Sequence, residues 1–279
     1  MKQKGNFLLL ESSEFKDWLD QQKVTRKIIT LQVHHTWSPN YTTSKNQEPF
    51  KCLEGMRNSH LANGWSGTGQ HFSVLENGQI GVSLDRSLNT NPAGIKGANT
   101  GAICIEIVGN FDIGGDTMSE AQKQAVTHLY AYLADKFELP IDTEHIVYHH
   151  WYSSEGVKIV DFKTGKSISN LSPSKTCPGT AFWGDGNSIA AARKTFLPAI
   201  QTELNRLNKK PETATTQPQQ NIKDDEKVQA VKIILTKDNS VSDEDGFLKD
   251  NSNYVPVSVL KALGHKVTWD NETKKLYIS

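Results

Sequence analysis

Short apolar runs, separated by glycine, proline and polar stretches, alternate along the chain with segments of helical spacing. Ile28-Ile29-Thr30-Leu31-Gln32-Val33 is β-branched or apolar apart from Gln32. That pattern predicts a buried central strand, which ends in His34-His35 before Ser38-Pro39-Asn40 turns the chain into a loop. Strands are also predicted over 70–75, 80–84, 102–108 and 144–151. The first two of these join through Glu76-Asn77-Gly78-Gln79, a turn of the Asn-Gly type. Helical spacing predicts helices over 12–22, with Phe15, Trp18 and Leu19 on one face, and over 50–60, with Phe50, Leu53 and Met56. A third helix runs to about Phe137 from Ser119-Glu120-Ala121-Gln122, which resembles a capping box. A last one spans about 188–207 with a kink at Pro198. Residues 40–47, 89–100 and 152–172 read as loops, and 64–69 as a glycine-rich turn.

After residue 210 the pattern changes. Residues 211–226 hold Pro, Glu, Thr and Gln with few apolar side chains and read as a flexible linker. Residues 227–279 read as a small α+β domain. It has a strand at 231–235, a helix from Val257 through Ala262 closed by Gly264, and a hairpin of 266–269 with 275–278. The expected division is thus 1–210, 211–226 and 227–279.

Composition narrows the function. Lys+Arg and Asp+Glu are both 31, so there is no basic footprint for nucleic acid. Three cysteines are too few for a disulfide scaffold. Phe7-Leu8-Leu9-Leu10 is far shorter than the roughly 7–15 apolar residues of a secretory signal, and no run approaches the ~18 of a membrane span. The expectation is a protein made in the cytoplasm without a signal peptide, with no membrane span.

Candidate chemistry sits at the strand ends. His34/His35, His149/His150 and Cys177 offer two imidazoles and a thiolate, and a strand's alternation lets only one of each pair face a given site. Such a set with an open fourth position suits a catalytic zinc, whereas magnesium and calcium prefer oxygen. Glu106, an acid in the apolar run Ala102-Ile103-Cys104-Ile105-Glu106-Ile107-Val108, is a candidate base. Lys175 is a candidate oxyanion partner. Cys52 and Cys104 read as small apolar fillers, and His71 as a structural or groove residue.

Five stretches between Ile28 and Trp183 then match one family in order. They are Val33-His34-His35-Thr36, Gly64-Trp65-Ser66 with Gly69-Gln70-His71-Phe72, the segment 101–111, Ile146-Val147-Tyr148-His149, and Lys175-Thr176-Cys177-Pro178-Gly179. The chain resembles the type-2 zinc-dependent N-acetylmuramoyl-L-alanine amidases, which share a fold with the peptidoglycan recognition proteins and a phage lysozyme of amidase type. The resemblance implies an α/β fold, a central mixed β-sheet flanked by helices. It implies Zn2+ held by His34, His149 and Cys177, with Glu106 as base and Lys175 at the oxyanion. The substrate implied is bacterial peptidoglycan, cut between N-acetylmuramic acid and L-alanine by an endolysin or autolysin, after holin-type release in the phage case. Gln70 stands where the family often has tyrosine, and it joins Trp37, Trp65, His60 and Trp151 as candidate substrate contacts. The 27 residues between His149 and Cys177 read as a wall of the substrate groove. Two rivals remain at this stage: a peptidoglycan-binding protein without turnover, and a cysteine hydrolase pairing Cys177 with His149. The C-terminal unit resembles the small domain named after the copper amine oxidase N-terminus. It has one histidine, His265, and no cysteine, so a copper site is not expected. Cell-wall targeting is the expected role, with assembly or stabilisation as its competitor.

Overall fold

A computed structural model places the chain in two compact units, Met1–Glu212 and Thr213–Ser279. The structure describes residues 1–208 and, in the second unit, the backbone of 229–237, 240–249, 252–254, 267–270 and 275–278.

In the first unit the elements are β1 (Lys2–Lys4), β2 (Phe7–Leu10), α1 (Phe15–Asp20), β3 (Thr30–His35), α2 (Tyr41–Ser44), α3 (Pro49–Ala62), β4 (Phe72–Val74), β5 (Ile80–Ser83), β6 (Ala102–Ile107), α4 (Glu120–Lys136), β7 (Ile146–Tyr148), α5 (Ile189–Ala191) and α6 (Leu197–Asn208). The strands form one seven-stranded sheet in the order β1-β2-β5-β4-β6-β3-β7. The β1, β2, β5 and β4 pairings are antiparallel, and those of β4 with β6, β6 with β3, and β3 with β7 are parallel. This is the mixed sheet flanked by helices that the sequence implied.

The two faces of the sheet differ, and that difference positions the site. Leu31 and Val33 of β3, Ile103, Ile105 and Ile107 of β6, and Phe72 and Val74 of β4 point to one face. There they pack with Ala125, Val126, Leu129 and Leu133 of α4 and with Phe196 and Ile200. Each such side chain contributes about 1.5–3 kcal/mol by burial. On the opposite face α3 covers only one end, where Phe50, Leu53 and Met56 join Phe7 and Leu9. A Cβ on Gly81 would lie 2.6 Å from Leu53, so a glycine allows α3 to approach β5. Beside α3 the same face carries Gln32, His34, Cys104, Glu106 and Ser73, all polar or polarisable.

Several boundaries differ from the sequence reading. The N-terminal residues form β1 and β2, which apolar content alone did not reveal. Residues 40–47 contain α2, nucleated because Asn40 Oδ1 accepts the Thr43 N–H. The helix expected over 188–207 is interrupted by a π-helical turn at Ala192–Phe196, so the irregularity precedes Pro198 and does not sit on it.

The second unit holds a three-stranded antiparallel sheet, in the order β10-β9-β8, of β8 (Gln229–Lys237), β9 (Ser240–Lys249) and β10 (Ser252–Tyr254). It also holds the antiparallel pair β11 (Val267–Asp270) and β12 (Lys275–Ile278). The expected strand at 231–235 lies within β8 and the expected hairpin within β11 and β12. β9 was not read, because Asp243, Glu244 and Asp245 interrupt its apolar pattern. The linker 211–226 and the helix ending at Ala262 lie outside the described residues. Among the described residues no helix is long and apolar enough to cross a membrane.

Candidate metal centre

β3 delivers His34 to the polar face of the sheet, beyond the cover of α3. His34 Nδ1 lies 3.2 Å from His149 Nδ1 and 3.6 Å from Cys177 Sγ. One donor atom from each of the three residues falls within 4.8 Å of the others, and all three side chains are buried. His149 does not lie on a strand. β7 ends at Tyr148, and His149–Trp151 form a 3-10 turn, so turn geometry, and not strand alternation, separates His149 from His150.

The second histidine of each pair holds the loops around the first. His150 Nδ1–H donates to the Lys175 carbonyl at 2.8 Å, and its backbone N–H donates to the Cys177 carbonyl at 2.8 Å. His35 Nδ1 accepts the Phe111 N–H at 3.1 Å, while the His35 N–H points at Cys177 Sγ from 3.4 Å. Asp112 adds two further ties, accepting from Thr176 Oγ1 at 3.0 Å and from the Thr180 N–H at 2.9 Å.

Electrostatics favour neutral ring nitrogens here. Burial, reinforced by the other cations, holds His34 well below the usual histidine range. Burial and then Lys175 bring His149 to about 4. Burial also pushes the Cys177 thiol well above its usual value. A thiol so disfavoured as an anion is a poor free nucleophile, and the ring nitrogen it meets at 3.6 Å is Nδ1 of His34. Two bare nitrogens and a sulfur that ionises when it gains a cation form a donor set that zinc fits.

Glu106 lies in register between His34 of β3 and Ser73 of β4. Among the described residues its Oε2 is buried without a hydrogen-bond partner. Burial pushes the carboxyl up to about 8, against the pull of Lys175. Gln70 Nε2 donates to Ser73 Oγ at 2.9 Å, and Gln70 Oε1 has no partner among the described residues. Lys175 is exposed and makes no ion pair or side-chain hydrogen bond among the described residues. Cys104 is buried, but it faces the polar side, where its sulfur lies within 4.8 Å of donor atoms of His34 and Glu106.

A cleft of about 480 Å³ opens over these groups. Glu106, Lys175 and the three metal-ligand candidates line it, together with Gln70, His60, Trp65 and Trp37. His60 stacks on Trp65 with ring centroids 4.6 Å apart and accepts the Gly69 N–H on Nδ1 at 3.1 Å. Trp37 is 60% exposed at the rim, and its backbone is left-handed with φ 58°. Two sequence expectations need correction. Trp151 is 1% exposed and stacks on Tyr148 inside the core, so it is a packing residue and not a substrate contact. Of the 27 residues between His149 and Cys177, Lys175 and Thr176 alone line the cleft; the rest of that wall comes from α3, the turn at 65–70 and Ala93-Gly94.

Three contributors were not read from the sequence. Asp112 lies in a loop with no periodicity to mark it. Gln32 gave a signal, a lone amide in an apolar strand two residues before His34. Gly94 stood unremarked in a loop, yet a Cβ there would lie 2.1 Å from Gln32 Oε1, 2.9 Å from Cys104 Sγ and 3.1 Å from His34 Nε2.

Comparison with known proteins places these features in a wider set. A family model described as N-acetylmuramoyl-L-alanine amidase, Amidase_2, matches residues 24–180. Among solved structures, the endolysin N-acetylmuramoyl-L-alanine amidase LysCS from Clostridium intestinale URNW is 26% identical. That match covers 43% of this chain and 68% of the other, with a TM-score of 0.35. Drosophila PGRP-LB is 17% identical over 60% of this chain and 88% of its own, with a TM-score of 0.42. No curated protein sequence matches the chain.

Proposed function

The chain belongs to the N-acetylmuramoyl-L-alanine amidase family, and we propose that it is a zinc-dependent hydrolase of peptidoglycan, cutting the amide between N-acetylmuramic acid and L-alanine. The observation that carries this reading is the convergence of His34, His149 and Cys177 within 4.8 Å at the floor of an open cleft. These three residues would hold the metal. When bound, zinc supplies Lewis acidity and brings the pKa of a water molecule to about 7.

The remaining roles fall to the chain's own groups. In its ionised form Glu106 takes a proton from the attacking water and returns it to the departing amine of L-alanine. Its partnerless Oε2 is free for that exchange. The Lys175 ammonium stands at the cleft, makes no ion pair among the described residues, and offsets the negative charge that develops on the carbonyl oxygen. Trp37 and Trp65, both lining the cleft, give the sugar and peptide flat apolar surfaces. Gln70 Oε1 offers an acceptor to a substrate N–H. Lysis of bacteria, as an endolysin or autolysin, is the biological role that fits this reaction.

The test is release of wall peptides from purified peptidoglycan by the full chain. Release should stop with a chelator and return with added zinc. Glu106→Gln should lower the rate about 10²–10⁴-fold while zinc stays bound. Binding to peptidoglycan with no release under any metal condition would replace the enzyme with a recognition protein. Release that survives chelation and stops on thiol alkylation would replace the metal mechanism with Cys177 chemistry.

A further inference from the structure

Gln32 is fully buried on β3, two residues before His34 and on the same face. Its carboxamide has only one possible orientation. Nε2 lies 2.9 Å from the Ala98 carbonyl, which can only accept, and 3.4 Å from Asn99 Oδ1. Oε1 is therefore the atom that faces His34 Nε2 at 3.4 Å. An amide oxygen accepts and cannot donate, so the ring nitrogen opposite it must carry a proton. His34 Nδ1, on the other edge of the ring, is then bare and faces His149 and Cys177.

A second feature points the same way. Gly94 leaves the space into which Gln32 Oε1 fits, since any Cβ there would lie 2.1 Å from that oxygen. The loop bearing Gly94 is tied in turn to Asn99, whose Oδ1 accepts the N–H groups of Gly94 and Ile95, each at 3.0 Å. Residues 94–99 thus hold the Nε2 end of the Gln32 amide and leave room for its Oε1.

We propose that Gln32 is a positioning residue that fixes the tautomer of His34, presenting Nδ1 to the metal before the metal arrives. The proposal rests on the metal-centre reading above.

The test is long-range ¹⁵N–¹H correlation of the histidine rings in the full chain, metal-free and then with one equivalent of zinc. His34 should show the Nε2–H pattern in both states. Gln32→Leu should leave metal-free His34 as a mixture of tautomers and weaken zinc binding about 10–100-fold in a competition titration. Gly94→Ala, which displaces the amide without deleting it, should shift both readouts in the same direction. An Nδ1–H pattern for His34 in the metal-free wild type would overturn the proposal, even if neither variant folds. So would Gln32→Leu with an unchanged His34 pattern and unchanged zinc affinity. A wild-type chain that shows the Nε2–H pattern on His34 but binds no zinc would instead remove the metal-centre reading and leave the positioning contact intact.

Discussion

The site depends on single side chains with one hydrogen-bonding option each, and His71 shows how strongly such a choice couples to the fold. It is buried beneath the polar face of the sheet, accepting the Cys104 N–H on Nδ1 and facing the Thr90 carbonyl with Nε2, both at 3.0 Å. Burial, the main cause, lowers its pKa from 6.5 to about 3. The unfolded chain therefore binds a proton below pH 6.5 that the folded protein refuses. Stability from this group is full above pH 6.5 and declines as pH falls toward 3, by about 1.4 kcal/mol per pH unit. Urea unfolding of wild type and His71→Gln between pH 7 and 4 should show a slope smaller in the variant by about one proton. Equal slopes would mean that His71 is already charged in the native state. At this scale the sequence was informative where chemistry is rare. Cys177 and the paired histidines stood out as soft donors, and Glu106 as an acid in an apolar run. It was silent on surroundings: nothing local distinguishes a buried Trp151 from an exposed Trp37, because burial is decided by partners farther along the chain such as Phe162 and Asn187.

At the scale of elements, the strands set the depth of His34 and Glu106, but Cys177 and Lys175 come from a loop. That loop is held by ties to Asp112, His150, Tyr152 and Asn187, the last donating to the Thr176 carbonyl at 2.7 Å. Asp112→Ala removes two of these acceptor contacts. It should cost about 1–2 kcal/mol, read as a lower urea midpoint, and should speed amide exchange at Thr180 more than in β3. Unchanged exchange at Thr180 would show that the remaining ties suffice. The long parallel strands were readable because β-branched runs bounded by turns have few other homes. β1, β2 and β9 were not, since short or charged strands owe their existence to a neighbour's edge and not to their own pattern. The π-helical turn at Ala192–Phe196 was hidden for a related reason: Pro198 marked trouble in the helix, but the position of the relief depends on what that helix packs against.

For the whole molecule, the division at Glu212 separates the amidase unit, which holds every cleft residue, from the smaller β-containing unit. We propose that the smaller unit adds affinity for intact cell walls. A chain ending at Glu212 should keep its rate on soluble peptidoglycan fragments while sedimenting with whole walls several-fold less than the full chain. Equal sedimentation would assign the second unit to stabilisation, which a lower melting temperature of the shortened chain would then report. The change in composition after residue 210 is the sequence's own mark of a boundary, because Pro, Thr and Gln offer little apolar surface to bury.

The left-handed backbone of Trp37 has a consequence for how this protein can be improved. A side chain other than glycine pays about 1–2 kcal/mol for that conformation, more than the roughly 0.5–1 kcal/mol that glycine's freedom costs the unfolded chain. Selection for heat resistance would therefore reward Trp37→Gly, and the same exchange would strip the rim of its indole. Sturdiness and grip pull in opposite directions at one residue.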